Sequence, residues 1–146
     1  MAVIIDIADA IVADLNAQTF GLPFTAARYY LPKFQLEDMD TLHVSVVPKE
    51  MEIIPAEGTR GAPQYDYLVD VGIQKRFDAD DDNADIDPLA DLVEEIADRL
   101  TGRNLVAGAE TALWITTENS PIYAPEAMSQ DRMFTSVLTL SYRLWR

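Results

Sequence analysis

Apolar positions along the chain switch between two periods, and the switches divide it into elements. From residue 3 to about residue 17, Ile4, Ile7, Ala8, Ile11, Val12 and Leu15 recur at the spacing of one helical face, with Asp6, Asp9 and Asp14 mostly off it. Gly21-Leu22-Pro23 closes that segment. β texture follows. Thr25 to Leu31 carries Tyr29 and Tyr30 and stops at Pro32, and Leu42-His43-Val44-Ser45-Val46 alternates strictly until Pro48. A second extended piece, Met51 to Ile54, leads into a loop with Pro55, Gly58, Gly61 and Pro63.

The clearest strand runs from Gln64 to Phe77. Tyr65, Tyr67, Val69, Val71 and Ile73 share one face, and Asp66, Asp70, Gln74 and Arg76 the other, as in a half-buried antiparallel strand. An Asp-rich stretch, Asp78 to Asp87, then enters a helix predicted to have Asp87 at its N-cap and Pro88 as its first residue. Leu89, Leu92, Val93, Ile96 and Leu100 form the expected buried stripe of that helix. Asp91, Glu94, Glu95 and Asp98 are expected to face out, and Gly102 to be its left-handed stop. Between residues 103 and 131 only a short β-like piece around Leu113-Trp114-Ile115-Thr116 stands out. From Arg132 to Arg146 a last long strand places Phe134, Leu138, Leu140, Tyr142 and Leu144 on one face, with Thr135, Thr139, Ser141 and Arg143 on the other.

The order α-β-β-β-α-β-β predicts a single α+β domain over residues 1–146, one mixed, mostly antiparallel sheet with long strands flanked by two helices. Length adds a constraint. A compact chain of this size is roughly 38 Å across, whereas the two long strands would run to about 46–50 Å. They must bend strongly or reach past the globule, and a projecting hairpin exposes edges that a neighbour tends to cover.

Composition narrows the function. The 146 residues contain 25 acids, 11 bases, one His and no Cys, for a net charge of −14. Disulfides, thiolate chemistry and Cys-ligated zinc are thereby excluded, and the deficit of Lys and Arg argues against binding to nucleic-acid phosphates or an anionic membrane. At 49% hydrophobic residues with 13 aromatics, the chain has ample apolar content for a core. No uncharged apolar run reaches the ~20 residues of a membrane span, and Met1 to Asp6 has no basic stretch ahead of its apolar residues, so a soluble protein made in the cytoplasm is expected.

Catalytic signatures are missing. His43, the one histidine, sits in a strand between Leu42 and Val44; nucleophile elbow, phosphate loop and dinucleotide fingerprint do not occur, so no enzyme, cofactor or metal is expected. Asp78, Asp80, Asp82 and Asn83 imitate the start of a calcium loop, but counting from Asp78 puts Leu89 where the bidentate Glu belongs. Charge is instead concentrated: residues 78 to 101 hold ten acids against one base, Arg99, an excess of nine of the fourteen negative charges. Such a patch serves solubility as a solvated helix face, or it repels a passing polyanion or docks a basic partner.

The helix Ile4 to Leu15, the segment Phe24-Thr-Ala-Ala-Arg28-Tyr-Tyr30-Leu-Pro32 with Leu36-Glu37, the strand Leu42 to Val47 ending at Pro48 and the acidic connection together form a recognisable pattern. Its most characteristic part is Ile122-Tyr123-Ala-Pro125-Glu126-Ala-Met128 followed by Phe134 to Arg143. Over most of its length the chain resembles the tail terminators and related head-to-tail joining proteins of long-tailed bacteriophages. The resemblance implies a structural virion protein without catalytic residues, a homo-oligomeric ring, usually a hexamer, at the head-proximal end of the tail. Its implied partners are copies of itself, the tail tube protein and a head-completion or neck protein, in particles assembled in the host cytoplasm. DNA would pass through the ring without specific binding.

On this basis Asp78, Asp80, Asp81, Asp82, Asp85 and Asp87 are candidates to face a channel or a basic partner. Thr59 and Arg60 in the hairpin tip from Glu57 to Ala62, and Tyr123, Pro125 and Met128 in the loop from Asn119 to Asp131, are candidate contacts with neighbouring subunits or the tube. Another neck or head-closure protein, and more distantly an acidic mimic of DNA, are the alternative assignments. Calorimetric titration with calcium up to millimolar concentration is expected to give no saturable heat; a stoichiometric site would restore the calcium-loop reading.

Overall fold

The computed structural model describes residues 2–30, 41–56, 61–77, 82–119 and 133–146, the side chains of residues 82 and 83 excepted. Two helices and six strands follow one another as α1 (Val3–Ala17), β1 (Ala26–Arg28), β2 (His43–Ile54), β3 (Gln64–Arg76), α2 (Asp82–Leu100), β4 (Leu105–Ala107), β5 (Glu110–Glu118) and β6 (Met133–Trp145). The strands form one sheet in the order β1-β2-β3-β6-β5-β4. Its β1–β2 pair is parallel and every other pair antiparallel, so the α+β class with a mixed sheet is as expected.

Alternation decides which face of the sheet is covered. Val69, Val71 and Ile73 of β3 and Leu138, Leu140 and Tyr142 of β6 are fully buried and lie side by side, Val69 against Leu140 and Val71 against Leu138. With Val44 and Val46 of β2 they form one core with Ile7, Ile11 and Leu15 of α1 and Leu89, Leu92, Val93 and Ile96 of α2. Both helices therefore lie on the same face. Across the opposite face run half-buried polar rungs, Asp66 beside Arg143 and Asp70 beside Thr139.

Specific side chains close the joints. Asn16, in the last turn of α1, acts as a surrogate strand: its amide nitrogen donates to the Ala26 carbonyl at 3.0 Å and its oxygen accepts from the Ala26 N–H at 2.8 Å. Arg99 of α2 donates through two nitrogens to both carboxylate oxygens of Asp14 in α1, at 3.1 and 2.9 Å. Glu95 accepts from the Gly21 N–H at 2.8 Å, and a Cβ on Gly21 would stand 2.8 Å from that carboxylate, so a side chain there would make the Glu95 carboxylate shift. Glu95 is thus half-buried and engaged, a correction to its expected place on the outer face of α2.

Three further sequence expectations are corrected. Met51 to Ile54 is not a separate piece, because β2 continues through Pro48 for twelve residues. Val46 turns its carbonyl toward β1, accepting from Tyr29 at 2.9 Å, so Pro48, two residues on, turns its missing N–H toward the same side, past the last β1 pairing. A bulge between Pro48 and Glu50 absorbs Lys49. The second correction is a strand, β4, that forms a hairpin with β5 through Gly108, whose φ of 63° favours glycine.

The third concerns α2. It begins at Asp82, so Asp87 is not its N-cap and Pro88 is an interior residue, the seventh of the helix. Proline at that position removes one i→i−4 donor, a cost of about 3 kcal/mol in an open helix. The offset comes from Ile86, which packs on the core and extends the stripe of Leu89, Val93, Ile96 and Leu100 one turn upstream. Gly102, with φ 76°, ends the helix as expected.

Replacement of Pro88 by Ala is therefore expected to raise the thermal midpoint, by an amount corresponding to about 1–2 kcal/mol after the gain in unfolded-state freedom is deducted. If Pro88 instead opened the helix as its first residue, the same substitution would lower the midpoint.

Candidate assembly surface

Past its bulge, β2 continues with the ends of β3 and β6 as a ribbon whose outer strand is exposed, while Leu144 of β6 remains buried in the core. After the bulge, Met51 pairs with Tyr67, Ile53 with Tyr65 and Ile54 with Gln64, and across β3 Gln64 meets Trp145 and Tyr65 meets Leu144. Strands of 12 and 13 residues, about 40 Å at ~3.3 Å per residue, outrun the 15-residue α1, about 22 Å long.

Apolar side chains come to the surface on both of its sides. On the helix side Met51 and Ile53 are 50% and 49% exposed. On the other side Ile54 and Trp145, 51% exposed in the latter case, line a concavity of about 450 Å³ together with Pro55, Ala56, Gly61 and Gln64. Half-exposed apolar side chains such as these are a place where water is readily displaced by another surface.

Polar groups stiffen this end. Arg143 donates to both oxygens of Asp66 at 2.8 and 3.2 Å, and Gln64 donates to the same carboxylate at 3.3 and 3.2 Å. The hydrogen bond to Asp66 pushes the Arg143 guanidinium further up, so it is cationic at any working pH. The guanidinium of Arg146 stands 4.6 Å above the Tyr65 ring, and the Arg146 backbone N–H donates to the Pro63 carbonyl at 3.3 Å. Nearer the bulge, Asp70 takes a hydrogen bond from Thr139 at 2.8 Å and lies 3.8 Å from the Lys49 ammonium.

Where the ribbon joins the core, Tyr67 and Tyr142 face each other across β3 and β6. Both rings are buried, 1% and 0% exposed, and neither hydroxyl has a hydrogen-bond partner among the described residues. Tyr65, the next residue on that face, stacks on Tyr67 with ring centres 6.2 Å apart.

The acidic residues are placed only in part. Asp87, Asp91, Glu94 and Asp98 are exposed along α2, and Asp85 is half-buried. Asp78, Asp80 and Asp81, and the side chain of Asp82, lie outside the described residues, as do Thr59, Arg60, Tyr123, Pro125 and Met128. His43 opens β2 opposite Gln74, as a strand residue should. No group of three or more metal-ligating side chains occurs among the described residues, and no helix is long and apolar enough to cross a membrane. Met51, Ile53, Ile54 and Trp145 escaped sequence reasoning as contact residues; their one signal was strand length.

The whole fold has counterparts. A chain from the virion of a native gene transfer agent particle superposes with a TM-score of 0.60 and 14% sequence identity, covering 99% of this chain and 98% of that one. A second solved structure gives a TM-score of 0.54 at 16% identity, over 98% of this chain and 94% of its own. Neither a protein-family model nor a curated protein matches the sequence, so the likeness is one of fold.

The unpartnered hydroxyl of Tyr142 gives a pH signature. Burial, with a lesser push from the Asp14 charge, raises its pKa above the ordinary 10.0. In the unfolded chain this tyrosine ionises near pH 10 and in the folded chain it does not, so the folded state loses ground as pH rises from about 10, by up to ~1.4 kcal/mol per pH unit. Tyr142→Phe is expected to leave neutral-pH stability level or slightly higher and to flatten the alkaline decline, read by urea unfolding at pH 7 and pH 11. An unchanged slope would mean that the hydroxyl reaches solvent.

Proposed function

We propose that this chain is a structural virion protein of a phage-like particle, acting as a tail terminator: a homo-oligomeric ring, of six copies as the family resemblance implies, that caps the finished tail tube and presents a surface for the head. The observation that carries this reading is the coincidence of fold, over 99% of the chain, with a component of a gene transfer agent virion. The ribbon supports it, since a subunit whose outer strand carries exposed apolar residues past its bulge has surface to bury against neighbours. The chemistry fits a structural part rather than an enzyme, and no cofactor is invoked.

In this reading the partners are other copies of the chain, the tube protein below and a head-completion or neck protein above, at the head-proximal end of the tail. Acidic residues of α2 such as Asp87 and Asp91 border the path of DNA, where like charge keeps phosphates from sticking. With a Debye length near 8 Å the repulsion acts only at close range and lubricates passage.

Electron micrographs of particles made without the protein test the role. Overlong or ragged tails are the expected outcome; normal tails detached from heads would reassign it to head closure, and intact particles would overturn a virion role. The double variant Met51→Asp, Ile53→Asp should stay folded, losing about 2–3 kcal/mol because both are half-buried strand residues, and yet be missing from purified particles.

A further inference from the structure

The projecting ribbon has an edge as well as faces. Past the pairing of Arg28 with Val46, and the Tyr29 N–H that follows it, no strand among the described residues lies on the outer side of β2. From Glu50 to Ile54 every second residue therefore turns its N–H and C=O outward, a template for one more strand. Natural edges are usually kept short or shielded by a proline or a charge pointing along the edge. Here Pro48 and Lys49 lie at the near end and Pro55 just past the far end, so Glu50–Ile54 between them is free of proline, and Lys49 is drawn toward Asp70 of β3.

The side chains beside this edge alternate in a way that describes an occupant. Met51 and Ile53 point to the helix side, opposite Tyr67 and Tyr65, while Glu50 and Glu52 point to the other side, opposite Leu68 and Asp66. All four are exposed. An added strand whose side chains match across the pair carries apolar groups on one face and cations on the other. A second copy of the same edge does not match, because any register that lays Met51 and Ile53 against their own counterparts sets glutamate against glutamate, which is destabilising.

We propose that the Glu50–Ile54 edge of β2 is a docking strand for an extended segment of a different protein, alternating apolar and basic residues. The pairing lengthens the sheet by one strand and covers the ribbon where its backbone is bare. Nothing in it depends on the virion reading.

The test uses the full isotopically labelled chain in 150 mM salt with two capped seven-residue peptides, one alternating Lys and Val and one alternating Glu and Val. Amide exchange and chemical-shift changes locate the contact. The lysine peptide is expected to protect amides within Glu50–Ile54 and to bind about ten-fold more tightly than the glutamate peptide, as several opposed pairs would give. The variant Glu50→Lys, Glu52→Lys should lose that preference, whereas Asp91→Lys, Glu94→Lys, with the same change in net charge on α2, should keep it. The proposal fails if the lysine peptide does not bind at millimolar concentration, if its protection maps to α2 or to the Leu105–Ala107 edge, or if both variants respond alike. Protection of the same amides by raised concentration of the chain alone would assign the edge to a second copy and equally overturn it.

Discussion

Everything in this molecule hangs on the pairing of β3 with β6. Thirteen rungs, from Gln64 against Trp145 to Arg76 against Met133, run without a register shift through the middle of the sheet. Strict alternation on both strands places the apolar residues of each on one face, so a slip of one residue would invert either strand and empty the core. The helices, the parallel β1–β2 corner and the β4–β5 hairpin are all attached to the flanks of that ladder. Because its halves are separated by the whole of α2, β4 and β5, the ladder closes a long loop at a cost in chain entropy, which the dense burial of Val69, Val71, Leu138 and Leu140 must offset.

From the ladder comes the division of the molecule into a covered part and a bare part. α1 and α2 shield the middle of one face, joined to each other by Arg99 and Asp14 and to the α1–β1 loop by Glu95. Where the helices stop, the strands do not. Tyr67 and Tyr142 mark the boundary, with buried rings and unpartnered hydroxyls among the described residues, a tolerance that fits a position chosen for the bulk of two aromatic rings at the rim of the core. Beyond them Leu144 is still part of the core, but along the distal half of β2 stability no longer explains the choice of residues. Met51, Ile53, Ile54 and Trp145 leave much of their surface in water.

Elements with a long, clean period were legible in the amino-acid sequence: α1, β3 and β6 have the faces that Ile7, Val69 and Leu138 imply. Short or contradictory signals were not. β4 has three residues, too few for alternation to show, and is held by the sheet it joins. At α2 a strong local signature, Asp87 before Pro88, competed with a weaker one, the apolar Ile86 a turn upstream, and tertiary packing favoured the latter. At Pro48 the expected break became a bulge because no partner needed the missing N–H. The acidity was legible as a segment but not as a site, since much of the Asp run lies outside the described residues. The ribbon was legible only as a length: Glu50-Met51-Glu52-Ile53 has the pattern of a strand half-covered by its own fold, and no local pattern tells whether the cover belongs to the same molecule.

The bulge at Lys49 also acts as a phase shifter. Ahead of it the even-numbered residues Val44 and Val46 face the helices; after it the odd-numbered Met51 and Ile53 do. By looping out Lys49 the bulge keeps the distal strand in step, holding the apolar pair on the helix side and the glutamates on the other. Were β2 to pass through Lys49 as a regular strand, the arm would be inverted, with glutamates where the methionine and isoleucine now stand, whereas deletion of Lys49 would leave both sides as they are. What the distal strand presents on each side is therefore set by parity, and the one extra residue leaves it intact only because it is bulged out.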